Sequence, residues 1–127
     1  MARKGKEINI TLGKNIQLIG FDALEPTEIS IIQDLLLHYI KKIENKTNYE
    51  LFKLKLKMHQ HNKTFIHELK AELFIHPGMV LGSALTHKNL YKGISDIMKK
   101  ILSEIEHHLK KKSVRNRPIK KLNKKII

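Results

Sequence analysis

The sequence predicts an α+β domain: two helices packed on one face of a four-stranded sheet, in the order β-α-β-β-β-α. Three observations carry that prediction. Apolar residues recur at spacings of three and four in two segments, Ile29, Ile32, Leu36, Tyr39 and Ile43, then Leu90, Ile94, Ile97, Ile101, Ile105 and Leu109. Between them, from Phe52 to His61, the even positions are apolar through Met58 and the odd ones are lysine or histidine, the period of a half-buried strand. Each helix has one apolar stripe and each strand one apolar face, so both helices must cover the same side of the sheet.

Ile8, Ile10 and Leu12 alternate with Asn9 and Thr11 as the first strand, and Gly13-Lys14-Asn15 turns the chain. Ile16 to Ile19 continues or re-enters the sheet edge. Pro26 and Thr27, flanked by Glu25 and Glu28, open the first helix, because proline suits its first turn and carboxylates its positive end. Asn45 to Asn48 ends it. The second strand puts Phe52, Leu54, Leu56 and Met58 inward and Lys53, Lys55, Lys57, His59 and His61 outward. Asn62-Lys63 is a hairpin turn, and the third strand faces Leu69, Ala71, Leu73 and Ile75 inward. Its outward Glu68 and Glu72 are expected opposite the lysine row, where opposite charges favour pairing. Pro77-Gly78 turns the chain into Met79 to Thr86, with Val80, Gly82 and Ala84 as a small-residue face. Asn89 is the expected N-cap of the last helix. Gly93 there costs about 1 kcal/mol relative to alanine, and close approach to a neighbouring element is the simplest reason for it. His38 is expected half-buried.

Composition bounds the function. The 127 residues suffice for one domain with its own core, and cysteine is absent. Disulfides, thiolate zinc sites and cysteine catalysis are therefore excluded, and a reducing cytoplasm is the expected setting. The net charge of +13 and isoelectric point near 10.0 imply a polyanionic partner, since so large a charge on so small a body repels itself. A membrane is not expected. No apolar run reaches the roughly 18 residues of a spanning helix, and the start leads into a strand rather than a secretory leader. The expected organisation is a basic extension at 1–6, an α+β domain at 7–112, and a basic, unstructured tail at 113–127.

Several short motifs resemble the ribosome hibernation-promoting factors, also called ribosome-associated inhibitors. Ile8-Asn9-Ile10-Thr11 with Gly13-Lys14-Asn15-Ile16 looks like that family's first strand and turn. Val80-x-Gly82-x-Ala84 is similar to its last strand. Asn89-Leu90-Tyr91-Lys92-Gly93-Ile94-Ser95, then Met98-Lys99-Lys100-Ile101, is similar to its last helix. The likeness spans about residues 8–112. Ser95 and Lys99 replace acidic residues of the family pattern, and Ser103 stands where arginine is common. Residues 17–27 look longer than in bacterial members, pointing to an archaeal-type short form. The resemblance implies binding to small-subunit rRNA in the messenger and transfer RNA channel, repression of translation, and association with ribosomes in the cytoplasm. Ribosomal proteins as further partners, and pairing of ribosomal particles, stay open.

The residues expected to contact RNA are Lys53, Lys55, Lys57, His59 and His61 on the second strand. On the last helix they are Lys92, Lys99, Lys100, His107, Lys110, Lys111 and Lys112, and in the tail Arg115, Arg117, Lys120 and Lys121. The lysine row also has a plain reading as a solvated face that discourages edge association. The helix and tail carry more cations than dipole matching explains. Tyr91 is read as a packing residue rather than a base-stacking one. Eight histidines invite a metal, but without a His-x-x-x-His helix pair or cysteine none is expected. Catalysis is not expected either: glycine-loop spacing, a nucleophile elbow and a buried carboxylate pair are all missing, so no cofactor or small-molecule substrate is assigned. Two other readings stay open, a double-stranded-RNA module and a structural ribosomal or ribosome-assembly protein.

Overall fold

The computed structural model describes residues 9–12, 15–76 and 78–116, with side chains described for 15–76 and 78–110. The elements are β1 (Asn9–Leu12), β2 (Ile16–Ile19), α1 (Pro26–Lys46), β3 (Leu51–His61), β4 (Thr64–His76), β5 (Met79–His87) and α2 (Leu90–Asn116). The α+β class and the order β-α-β-β-β-α are those expected, with the first strand position filled by a hairpin of two. The sheet therefore has five strands in the order β1-β2-β3-β4-β5. Asn15 takes φ 58 at the turn between β1 and β2, a left-handed conformation asparagine tolerates.

Only β2 and β3 run parallel, and α1 is the crossover between them, as a parallel connection requires. The remaining pairs are antiparallel. One face of the sheet carries Ile16 and Leu18 from β2, Phe52, Leu54 and Leu56 from β3, and Leu69, Ala71, Leu73 and Ile75 from β4. All are buried in one cluster with Ile32, Leu36, Ile40 and Ile43 of α1 and Ile94, Ile97, Ile101 and Ile105 of α2. The two helices thus form a single layer against one side. Lys46 Nζ donates to Glu106 Oε2 at 2.8 Å, joining the end of α1 to α2.

Local devices match the residues that build them. Glu28 Oε1 accepts from the Glu25 backbone N–H at 2.9 Å at the start of α1. Asn89 is the N-cap of α2, its Oδ1 accepting from the Lys92 N–H at 3.0 Å. Gly93 lies where helix meets sheet: a Cβ there would stand 3.0 Å from both His87 Cβ and Leu69 Cδ1.

Gly20 is held more tightly. It follows β2 directly with φ 85, and a Cβ there would lie 2.3 Å from the carbonyl oxygen of Leu56. The neighbour is backbone of a central strand, so it cannot swing aside. Gly20→Ala is expected to cost about 2–4 kcal/mol, combining an unfavourable φ with a backbone overlap. Chemical denaturation checks this, and a variant as stable as the native chain would refute it.

Four local expectations are corrected. Met58 is 37% and Leu109 40% exposed, because each lies past the end of the opposing layer. His38 is exposed rather than half-buried, its ring edge-on to Tyr39. The last helix continues to Asn116, so residues 113–116, assigned to the tail, are helical. The expected tail from Arg117 on, the 1–6 extension and Pro77 lie outside the described residues. Among the described residues, no helix is long and apolar enough to cross a membrane.

Candidate nucleic-acid interface

The expected RNA-contact residues fall on two surfaces, because the sheet separates them. Lys53, Lys55, Lys57, His59 and His61 share the parity of β3 opposite the core, and so lie on the open face of the sheet. Lys92, Lys99, Lys100, His107 and Lys110 are exposed on α2, in the helical layer on the other side. Lys111, Lys112 and Arg115 fall within α2, but their side chains are outside the described residues, as are Arg117, Lys120 and Lys121 altogether.

The open face is charge-mixed. Lys53 is in register with Glu72 and Lys57 with Glu68, as expected from the sequence, while Lys55 faces Lys70. His59 Nε2 donates to Glu68 Oε1 at 2.8 Å. That hydrogen bond, with smaller contributions from the charges of Lys57 and Lys70, holds the Glu68 carboxyl below the usual carboxylate range. Lys53 Nζ sits 5.4 Å from the centre of the Phe74 ring, within cation–π range. Glu68 and Glu72 thus stand in register with two of the lysines on this face, an arrangement that agrees with the solvated-face reading of the lysine row.

The surface of α2 differs. Lys92, Lys99, Ser103 and Lys110 follow one line along the helix, at spacings that return to the same face of a 3.6-residue turn. From Lys92 to Lys110 that line runs about 27 Å. One turn before Lys110, Glu106 is engaged by Lys46; this bond, with smaller contributions from the charges of Lys110 and His107, holds the Glu106 carboxyl low. His87 Nε2 stands 3.9 Å from Asp96 Oδ2. The line's backing is rigid, since Ile94, Ile97, Met98, Ile101 and Ile105 are buried beneath it. Lys100 points elsewhere. Its Nζ reaches the Ala84 carbonyl at 3.5 Å, covering a free acceptor on edge strand β5. Tyr91 is half-buried and packs against the core.

Two further histidines have hydrogen-bond partners of their own. His67 Nδ1 donates to the His87 carbonyl at 3.1 Å. His87 Nδ1 accepts from the Asn89 N–H at 2.9 Å, which leaves the proton of the neutral ring on Nε2. Among the described residues no three His, Asp or Glu side chains converge as metal ligands do.

Three residues not singled out in the sequence gain a place here. Lys63 and Lys88 line one shallow depression with His61, Asn62 and Thr64, and Phe65, on the other face of the β3–β4 pair from His61 and Thr64, is 50% exposed. Lys63 and Lys88 are 25 positions apart, so only the pairing of β4 with β5 brings them together. Compared with known proteins, the sequence matches no family model and no curated protein.

Proposed function

We propose that this protein binds rRNA of the small ribosomal subunit through the outward face of α2, and that it represses translation by occupying the messenger and transfer RNA channel. The observation that carries this reading is the line of Lys92, Lys99 and Lys110 on a helix fixed by its own buried stripe. Lysines placed this way meet phosphates with little further loss of backbone freedom, which favours binding to a shaped polyanion. The motif resemblance of β5 and α2 to the hibernation factors supplies the target. Nothing in the reading calls for bond making or breaking, so the action is steric and electrostatic.

The test is competition on isolated small subunits. Messenger binding is expected to fall as the protein is added, with the RNA recovered intact. Simultaneous binding of messenger and protein at undiminished affinity would overturn the channel-blocking reading. A second reading draws on one observation, the run α1-β3-β4-β5-α2, a helix–sheet–helix layout related to that of double-stranded-RNA modules, which bind by shape. That reading gains if a plain RNA duplex competes as well as subunits do.

A further inference from the structure

Strand β5 is the last of the sheet, and among the described residues its backbone pairs with β4 alone. Two side-chain contacts show which groups its other side presents. Lys100 Nζ reaches the Ala84 carbonyl, while His67 Nδ1 of β4 reaches the His87 carbonyl. The Ala84 carbonyl therefore points away from β4 and that of His87 toward it. Antiparallel pairing alternates in this way, so Val80, Gly82, Ala84 and Thr86 turn their N–H and C=O groups outward.

Native sheets guard such an edge with lysine, proline or a covering element. The nine residues of β5, Met-Val-Leu-Gly-Ser-Ala-Leu-Thr-His, include no lysine, arginine, carboxylate or proline. Val80, Gly82, Ala84 and Thr86 are all exposed. Lys100 is a light cover, a single flexible side chain at 3.5 Å that is itself exposed. A long uncharged edge with its donors and acceptors turned to solvent is a template for another strand.

Charge identifies the occupant. A net charge of +13 keeps copies of the chain apart unless the surfaces that meet are balanced, and around this edge they are. Glu68, Lys70 and Glu72 lie one strand in, in register with Thr86, Ala84 and Gly82. On α2, Lys100 marks the flank beside β5, and Asp96 and Glu104 stand one turn to either side of it. With Lys88 past the strand's end, three lysines stand among four carboxylates. RNA finds no surplus of cations here, and a second copy meets no repulsion. The order acid, lysine, acid on α2 also complements itself. A two-fold axis between paired β5 strands runs α2 antiparallel to its copy. An axis level with the midpoint between Lys100 and either acid then sets each Lys100 against that acid of the other copy.

We propose that β5 pairs with β5 of a second copy, antiparallel about a two-fold axis, to make one continuous sheet. A single strand pair buries little area, so the dimer is weak. The line of Lys92, Lys99 and Lys110 lies about a quarter turn of α2 away from Lys100 and stays uncovered. Dimerisation is therefore independent of the RNA-binding reading.

The experiment is sedimentation of the full chain at about 0.15 M salt, where repulsion between distant charges is screened. A monomer–dimer equilibrium is expected between about 10 μM and 1 mM, the range of a small interface. Amide hydrogen exchange on the same samples locates the contact. The amides of Val80, Gly82, Ala84 and Thr86 should slow as the dimer forms, and those of Leu81, Ser83 and Leu85, already directed at β4, should change much less. Ala84→Pro removes one outward donor where an edge strand tolerates proline. It is expected to weaken dimerisation roughly tenfold or more, with circular dichroism unchanged. Should that variant misfold, the exchange pattern of the native chain decides. A chain that stays monomeric throughout overturns the proposal. So does a dimer whose slowed amides lie outside β5, or one that a folded Ala84→Pro leaves intact.

Discussion

Binding to small ribosomal subunits is expected to weaken roughly 10³- to 10⁵-fold between about 50 and 200 mM salt, the loss that follows when about 6–10 phosphates are neutralised. The net charge of +13 makes such a number of contacts reachable, and the structure indicates which charges are available for them. On the open face of the sheet, Glu68 and Glu72 stand opposite Lys57 and Lys53, so those lysines release fewer counterions when RNA arrives. Lys92, Lys99 and Lys110 are exposed along α2, with Glu106 one turn before Lys110; Lys92 and Lys99 are expected to carry the larger share. Titration of subunits at several salt concentrations, plotted as the logarithm of affinity against that of salt, measures the slope. A flat line would remove the electrostatic basis of the proposed function.

Lys99→Glu combined with Lys110→Glu is expected to weaken subunit binding on the order of a hundredfold, from two charge-assisted contacts at roughly 1.5 kcal/mol each. The salt slope should fall by about two. Deleting residues 117–127 is the informative comparison, since it removes five positive charges while the double reversal changes the net charge by four. If total charge governed affinity, the deletion would do the greater harm. If positions fixed by the core govern it, the double reversal will. The second outcome is expected, with the deletion acting chiefly on the association rate through weaker long-range steering. Both lysines are exposed, so folding should be unaffected, and circular dichroism verifies that. A silent double reversal with an inactive deletion variant would move the recognition element off the helix.

Much of this fold is legible in particular residues. The strict alternation from Phe52 to Lys57 specifies a strand and its inward face, since a period of two has no helical counterpart. The stripe from Leu90 to Ile105 specifies α2, Asn89 specifies where it starts, and Gly93 marks the close approach of helix to sheet. Even the cross-strand partners of Lys53 and Lys57 follow from the two strand patterns and the turn at Asn62-Lys63.

What the sequence left undecided depends on how far one element extends relative to another. Periodicity states which way Met58 and Leu109 point, and both point as their stripes require. It does not state whether a partner layer reaches that far, and at both positions it does not. Ile16 to Ile19 repeats the alternation of the segment before it, and only the antiparallel pairing of the two makes a hairpin of what local pattern reads equally as one strand. Lys100 and Lys99 are neighbours with the same charge and both exposed, yet only Lys100 reaches the β5 edge. Lys63 and Lys88, 25 positions apart in the chain, line one depression because β4 pairs with β5. By itself the sequence determined the elements, their inward faces and the charge they carry. The tertiary structure decided where coverage ends, because burial belongs to pairs of elements and the period of either one cannot contain it.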